Sequence, residues 1–378
     1  MAQLTLEKSV STGQSVFVYT NQSQMPFNSD LDSAIFAAAL REAEYIRKCV
    51  TIDGAINMVP VLDLGKDAFV RPYFSVYASI GLDVAALLVK GHDRQRALEY
   101  VQLSDSFYSW YVSHMNPDGS IDDFTKGTLA TPKPSGDADS EDAYAGIFLY
   151  GAYVHLKVTQ QIDQKTAEGF LKRVEPHLRK AANLIVSLQA HDGLTIAKKN
   201  YPIQYLMDNL EAYAGLIALQ RLGLFGFEQY AGRIATAVNR NLWLEKKYYA
   251  WARDPRNGVT SSGWIKWYPD KLANTWATYF SFIPPERKAV LYSALKAEFS
   301  DPASAYSTLG PEVVYLAVAS LAQRDTPTAD GYMREILKHQ DQEGGFRDLH
   351  GYTHISGWFI TAAGLRLAWN DLAEIIFT

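Results

Sequence analysis

The chain has 378 residues, with 36 Lys+Arg against 41 Asp+Glu, and its net charge of −5 argues against a nucleic-acid partner, whose binding surface is basic. At 48% hydrophobic and 20% charged residues the composition is that of a folded globular protein. The single cysteine, Cys49, excludes an intrachain disulfide framework and a thiolate metal cluster, and its apolar-periodic surroundings read as a buried core position.

The first residues lack a basic start followed by an apolar run, and no stretch is expected to reach the ~18 apolar residues of a membrane span. No membrane partner is expected. A cytoplasmic protein and an exported one relieved of its leader would read alike, and the oligomeric state stays open.

Two kinds of helical pattern alternate along the chain. Residues 30–50 are amphipathic, and a long loop (51–71) leads to residues 72–89, apolar almost all round. A short turn (90–93) gives amphipathic 94–114, a long loop (115–137) and apolar 138–156. The order repeats in amphipathic 164–190, 227–243, 285–299 and 327–339, alternating with apolar 208–222, 270–283, 310–321 and 356–369. A helix apolar on every face must be buried on every face. Six outer and six inner helices, at about 63 residues per pair, predict an all-α fold, an (α/α)6 barrel of six helical hairpins. The barrel is expected to be one domain over residues 1–378, with residues 1–28 packing on it as an extension. Its long loops gather at the inner helices' N-termini, and loops of that length are usually functional.

A similar turn recurs after outer helices: Asp53-Gly54, Asp118-Gly119, Asp192-Gly193 and Glu343-Gly344, each followed by a short β-prone stretch. Asn116, Asp118, Gly119 and Ile121 match part of a calcium loop, but His114 and Thr125 stand where acidic ligands are required. No metal and no cofactor is expected.

The inner helices align on one core in which an aromatic follows two places after a variable residue: Ser75, Asp142, Glu211, Asn274, Val313 and Ser356. Two neighbours in that ring are carboxylates, Asp139 and Asp208 lie one turn earlier, and Asp137 and Glu141 add to them. Crowded acids at the mouth of an apolar barrel repel one another and raise a pKa, as general-acid chemistry requires. The spacings Asp139-x-x-Asp142 and Asp208-x-x-Glu211 also fit capping boxes, in which the carboxylates only satisfy helix N–H groups.

At this point the chain resembles the six-hairpin glycosidase superfamily, whose (α/α)6 barrels cleave polysaccharides with paired carboxylates. Asp137-Ala138-Asp139 with Ala143 is similar to the signature of the family-eight endoglucanases, although Gly136 and Asp142 depart from it. The resemblance implies hydrolysis of a carbohydrate substrate. Glu211 or Asp142 is then the expected acid, and Asp208 or Asp137 the base or water-positioner. Trp264, Trp267, Tyr268 and Trp358 are expected to stack on sugar rings, with Asp139, Tyr205 and Asn274 as further binding residues. Arg71, Lys271 and His354 at the rim are candidates for binding an acidic sugar.

Three other readings remain open. A polysaccharide lyase or sugar epimerase on the same barrel would lean on His, Tyr and Arg. A carbohydrate-binding barrel would use its carboxylates as caps alone. A terpene-cyclase-like toroid is suggested by Gln342-Glu343-Gly344-Gly345-Phe346 but lacks the full proton-donor motif.

Overall fold

A computed structural model describes residues 6–8, 15–17, 29–60, 70–125, 133–346 and 352–377. Outer helices α1 (Asp30–Cys49), α3 (Arg94–His114), α5 (Gln164–Leu188), α7 (Glu228–Ala237), α9 (Pro285–Glu298) and α12 (Thr326–Leu337) alternate with inner helices. The inner ones are α2 (Pro72–Val89), α4 (Glu141–Ile162), α6 (Leu206–Arg221), α8 (Leu272–Ala277), α11 (Val314–Ala322) and α13 (Thr353–Leu367). The inner helices pack in ring order α2, α4, α6, α8, α11, α13, and α13 returns to α2, closing an (α/α)6 barrel. Helix α2 meets the length and mean hydropathy, 1.5, of a membrane span, against expectation, yet 89% of it is buried as a barrel stave.

The repeated turn helps close the ring. Gly54, Gly119, Gly193 and Gly344 take positive φ of 97°, 96°, 95° and 85°, a region that only glycine enters without strain. Each turn docks on the backbone of the next outer helix: Gly54 beside Ser106, Gly119 beside Lys180, Gly193 beside Arg233, and Gly344 beside Arg41 of the first. A Cβ on Gly119 would lie 2.6 Å from the Lys180 carbonyl oxygen, so the contact has no room for a side chain.

Three departures from the expected elements have local causes. Residues 270–283 form a π-turn (Trp267–Lys271) and the six-residue α8, which ends where Thr275 and Thr278 turn their hydroxyls back onto the Lys271 and Thr275 carbonyls. An additional helix, α10 (Pro302–Leu309), starts at an Asp301 cap whose carboxylate accepts the Ser304 N–H. It ends at Gly310, and a 3-10 turn (Gly310–Val313) then leads into α11. Helix α13 stops at Leu367, and α14 (Trp369–Ile376) crosses to the barrel's closed end, where the Ile376 carbonyl accepts the Tyr150 hydroxyl at 2.8 Å.

Strands are short. β1 (Leu6–Lys8) pairs with β2 (Ser15–Phe17), and β3 (Phe124–Thr125) with β4 (Lys133–Pro134). β5 (Gln204–Tyr205), β6 (Ala252–Arg253) and β7 (Thr260–Ser261) form a three-stranded antiparallel sheet at the entry to α6. Most of residues 1–28, and so the expected packing of that segment on the barrel, lies outside the described residues.

Candidate active site

All six inner helices, or the turns leading into them, contribute to a cavity of about 740 Å³ at their N-terminal ends. That volume falls in the range of small-ligand sites. Its floor is aromatic. Tyr77, Trp276, Tyr315 and Trp358 pack on one another, with the Tyr77 and Trp358 ring centroids 5.0 Å apart and those of Trp276 and Trp358 5.5 Å apart. Tyr205 and Trp251 stack in the wall, with their rings 14° from parallel.

The acidic side of the cavity is α4 and α6. Gly146 lets the two helices approach closely, since a Cβ there would lie 2.6 Å from the Glu211 carbonyl carbon and oxygen. This approach gathers Asp142, Asp208 and Glu211. Asp208 lines the cavity, whereas Asp142 and Glu211 are buried behind its wall. Ser140 Oγ lies 2.8 Å from Asp142 Oδ1 and 2.5 Å from Asp208 Oδ2. Asp142 also accepts the Thr195 hydroxyl (2.5 Å) and the Ala143 N–H (2.9 Å). Glu211 Oε1 accepts the hydroxyls of Tyr73 (2.7 Å) and Tyr77 (2.6 Å), while its Oε2 is buried without a partner.

Electrostatics follow from this packing. Among the described residues no lysine or arginine pairs with any of the three carboxyls. Burial pushes Asp142 up to about 6 against the hydrogen bonds it accepts, and Glu211 up to about 8. Asp208 is raised well above the ordinary aspartate value, first by burial and then by the charges of Asp142 and Glu211.

The capping-box alternative explains little of this. Ser140 and Tyr205, not Asp139 and Asp208, occupy the N-cap positions of α4 and α6, and neither caps through its side chain. Of the three gathered carboxylates, Asp142 alone accepts a backbone N–H, that of Ala143.

The other expected site residues divide. Asp139, Arg71, Tyr205, Tyr268, His354 and Trp358 line the cavity. Asp137 stands outside it, 72% exposed and ion-paired with Lys198 at 2.7 Å, a contact that lowers its pKa. Trp264 donates to Glu298 at 3.1 Å and does not reach the cavity wall. Trp267 acts at one remove, its indole N–H donating to Glu312 at 2.5 Å. Asn274 is a structural clamp that bonds the Tyr249 N–H and carbonyl. Asn209 does the same to Thr195, so the equivalent of Asn274 on α6 is Asn209 rather than Glu211. Lys271 is buried against Glu298, away from the cavity.

Sequence reasoning missed Tyr73, Ser140 and Glu312. Tyr73 and Tyr77 were readable as an i, i+4 pair on one helix face, but nothing in the sequence points them at Glu211. Glu312 was hidden because residues 310–313 read as helix instead of a turn that presents it to the cavity.

No protein-family model matches the chain, and no curated protein sequence is similar to it. Solved structures do share its fold. A glycosidase is 12% identical with a TM-score of 0.60, covering 90% of this chain and 99% of that one. D-mannose isomerase is 12% identical with a TM-score of 0.59, covering 92% and 100%. The GH76 α-mannanase of Bacteroides thetaiotaomicron is 10% identical with a TM-score of 0.59, covering 90% and 100%. The fold is the (α/α)6 barrel that these structures share. No match supports the narrower similarity to family-eight endoglucanases.

Proposed function

We infer that the protein is a glycoside hydrolase acting on an oligosaccharide or polysaccharide, with Asp208 as general acid. One observation carries this reading: Asp208 is the member of a cation-free carboxyl cluster that faces an aromatic-lined cavity. A carboxyl kept protonated near neutral pH can give its proton to the glycosidic oxygen as the C–O bond breaks, and the bonding pair leaves on that oxygen. A second, ionised carboxylate must then activate water or attack the anomeric carbon. Glu312 is suited to that role, since it lines the cavity from the turn before α11, where its carboxylate accepts the Trp267 indole N–H. Tyr205, Trp251, Tyr268 and Trp358 offer faces for sugar rings.

The test is incubation with a panel of neutral, amino-sugar and uronic-acid oligosaccharides, with products read by mass. Hydrolysis appears as a gain of one water per cleaved bond, and Asp208→Asn and Glu312→Gln are each expected to lower turnover on the order of 10²-fold or more. An unsaturated product would make the enzyme a lyase. Interconversion of a monosaccharide without mass gain, lost in His354→Ala, would make it an isomerase. Both amide variants retaining full turnover would remove these residues from the mechanism.

A further inference from the structure

Asp142 reaches neither the cavity nor any cation, yet it is the best solvated of the three carboxylates by protein groups. Its two oxygens accept three donors, Ser140 Oγ–H, the Ala143 N–H and the Thr195 hydroxyl. Asp208 has Ser140 as its hydrogen-bonding neighbour, at 2.5 Å. A serine hydroxyl owns one proton, so it can donate to one carboxylate at a time and can only accept from the other. With both carboxylates ionised, one of the two short contacts would set lone pair against lone pair. The arrangement is consistent when Asp208 holds a proton and donates it to Ser140 Oγ, and Ser140 donates to an ionised Asp142.

We propose that Asp208, Ser140 and Asp142 form a one-proton relay in which the buried Asp142 carboxylate and the Ser140 hydroxyl keep the cavity-facing Asp208 protonated. Asp142 and Ser140 are positioning residues. When Asp208 releases its proton to an acceptor in the cavity, the Ser140 hydroxyl turns from Asp142 to the new Asp208 carboxylate, and no atom other than that proton leaves the site. Burial raises both carboxyls, and the Asp142 charge raises Asp208 further, as a pair that shares one proton requires. Other titratable groups on the cavity side of the relay are Asp139 before α4, Glu211 on α6, the phenols of Tyr73, Tyr205 and Tyr268, and Arg71, Lys198 and His354 across the cavity. Lys198 is committed to Asp137 and the Ala138 carbonyl and Arg71 faces Asp123, and among the described residues no cation bonds Asp142 or Asp208, so none substitutes for the proton.

The relay's catalytic meaning rests on the hydrolase reading above, but its protonation pattern does not, and the experiment separates the two. Carboxyl-carbon NMR of the whole protein labelled at aspartate, with Asp208→Asn and Asp142→Asn assigning the signals, follows the two groups through pH. Asp142 is expected to ionise first and Asp208 to stay protonated past neutrality. Asp142→Asn should lower the Asp208 titration by roughly 1–3 pH units, because it removes a like charge. Ser140→Ala should draw the two titrations together, raising Asp142 and lowering Asp208, and Ser140→Thr should restore their separation. In the same variants the basic limb of kcat/KM should move with Asp208. An Asp208 ionised at pH 7 in the native protein, or titrations indifferent to Ser140→Ala, overturns the relay even if sugars are hydrolysed. The expected titrations in a protein that hydrolyses no sugar would uphold the relay and remove the hydrolase.

Discussion

Asp142 and His155 stand on the same helix, α4, about 20 Å apart along its axis, and both are wholly buried. Around His155 the charges balance. Its Nδ1 lies 2.8 Å from Asp83 and its Nε2 3.7 Å from Asp105, which in turn pairs with Arg173 at 2.5 Å. Burial alone would discharge the imidazole, but the two carboxylates outweigh it and push its pKa up to about 9. Two cations thus face two anions, and Ser104 donates to the remaining Asp83 oxygen at 3.0 Å. Around Asp142 three carboxyls gather with no cation. Buried charge that serves the fold comes paired, because an unpaired buried ion is costly. The unpaired cluster is the one bordering the cavity, where burial raises the pKa of each carboxyl.

The contrast has opposite consequences for charge removal. Asp83→Asn, which strands the His155 charge, is expected to destabilise the protein by about 3–5 kcal/mol in urea unfolding. Asp208→Asn, which removes a carboxyl from a repulsive cluster, should leave the unfolding midpoint unchanged or raise it while removing activity. Similar losses of stability in both variants would mean that the two clusters are equivalent structural networks.

Serine-to-alanine changes sharpen the comparison at smaller amplitude. Ser104→Ala removes a buried hydroxyl from an ionised carboxylate and should reduce stability by about 1.5–3 kcal/mol without moving the pH profile of activity. Ser140→Ala should move that profile with a smaller loss of stability. An unmoved profile in Ser140→Ala, paired with a shifted one in Ser104→Ala, would invert the assignment of the two sites.

Much of the fold was legible because helical periodicity and loop length are local properties. Residues 72–89 and 94–114 coincide with α2 and α3, and the alternation of apolar and amphipathic helices sufficed to order the ring. Breaks inside apolar runs were not legible: 270–283, 310–321 and 356–369 keep one composition across a π-turn, a 3-10 turn and the bend at Ala368. The carboxyl cluster was legible from spacing alone. Which carboxyl faces the cavity was not, since that depends on the rotation of α6 against α4, set by the contact at Gly146 and Gly215. Ser140 carried no signal, because a serine before a helix reads as a cap, and its turn towards two carboxyls is a tertiary fact.

Stability against pH offers the finest separation of the clusters. Glu211 has a folded pKa near 8 against an ordinary 4.5, so the folded state holds its proton more tightly than the unfolded chain does. Stability from this group is complete below about 4.5, declines as the unfolded chain ionises first, and is fully lost above about 8. His155, at about 9 against 6.5, also binds its proton more tightly when folded, and its contribution is complete below about 6.5 and lost as pH rises through 9. Both clusters therefore predict alkaline weakening, in windows that overlap only in part. Glu211→Gln should flatten the decline between about 5 and 6.5 and roughly halve it between about 6.5 and 8, leaving the His155 fall towards 9 in place. His155→Gln should lower stability at pH 6 and flatten the upper window instead. Urea midpoints measured from pH 5 to 9 on the native protein and both variants decide it, and a Glu211→Gln curve parallel to the native one would place the Glu211 proton elsewhere in the cluster.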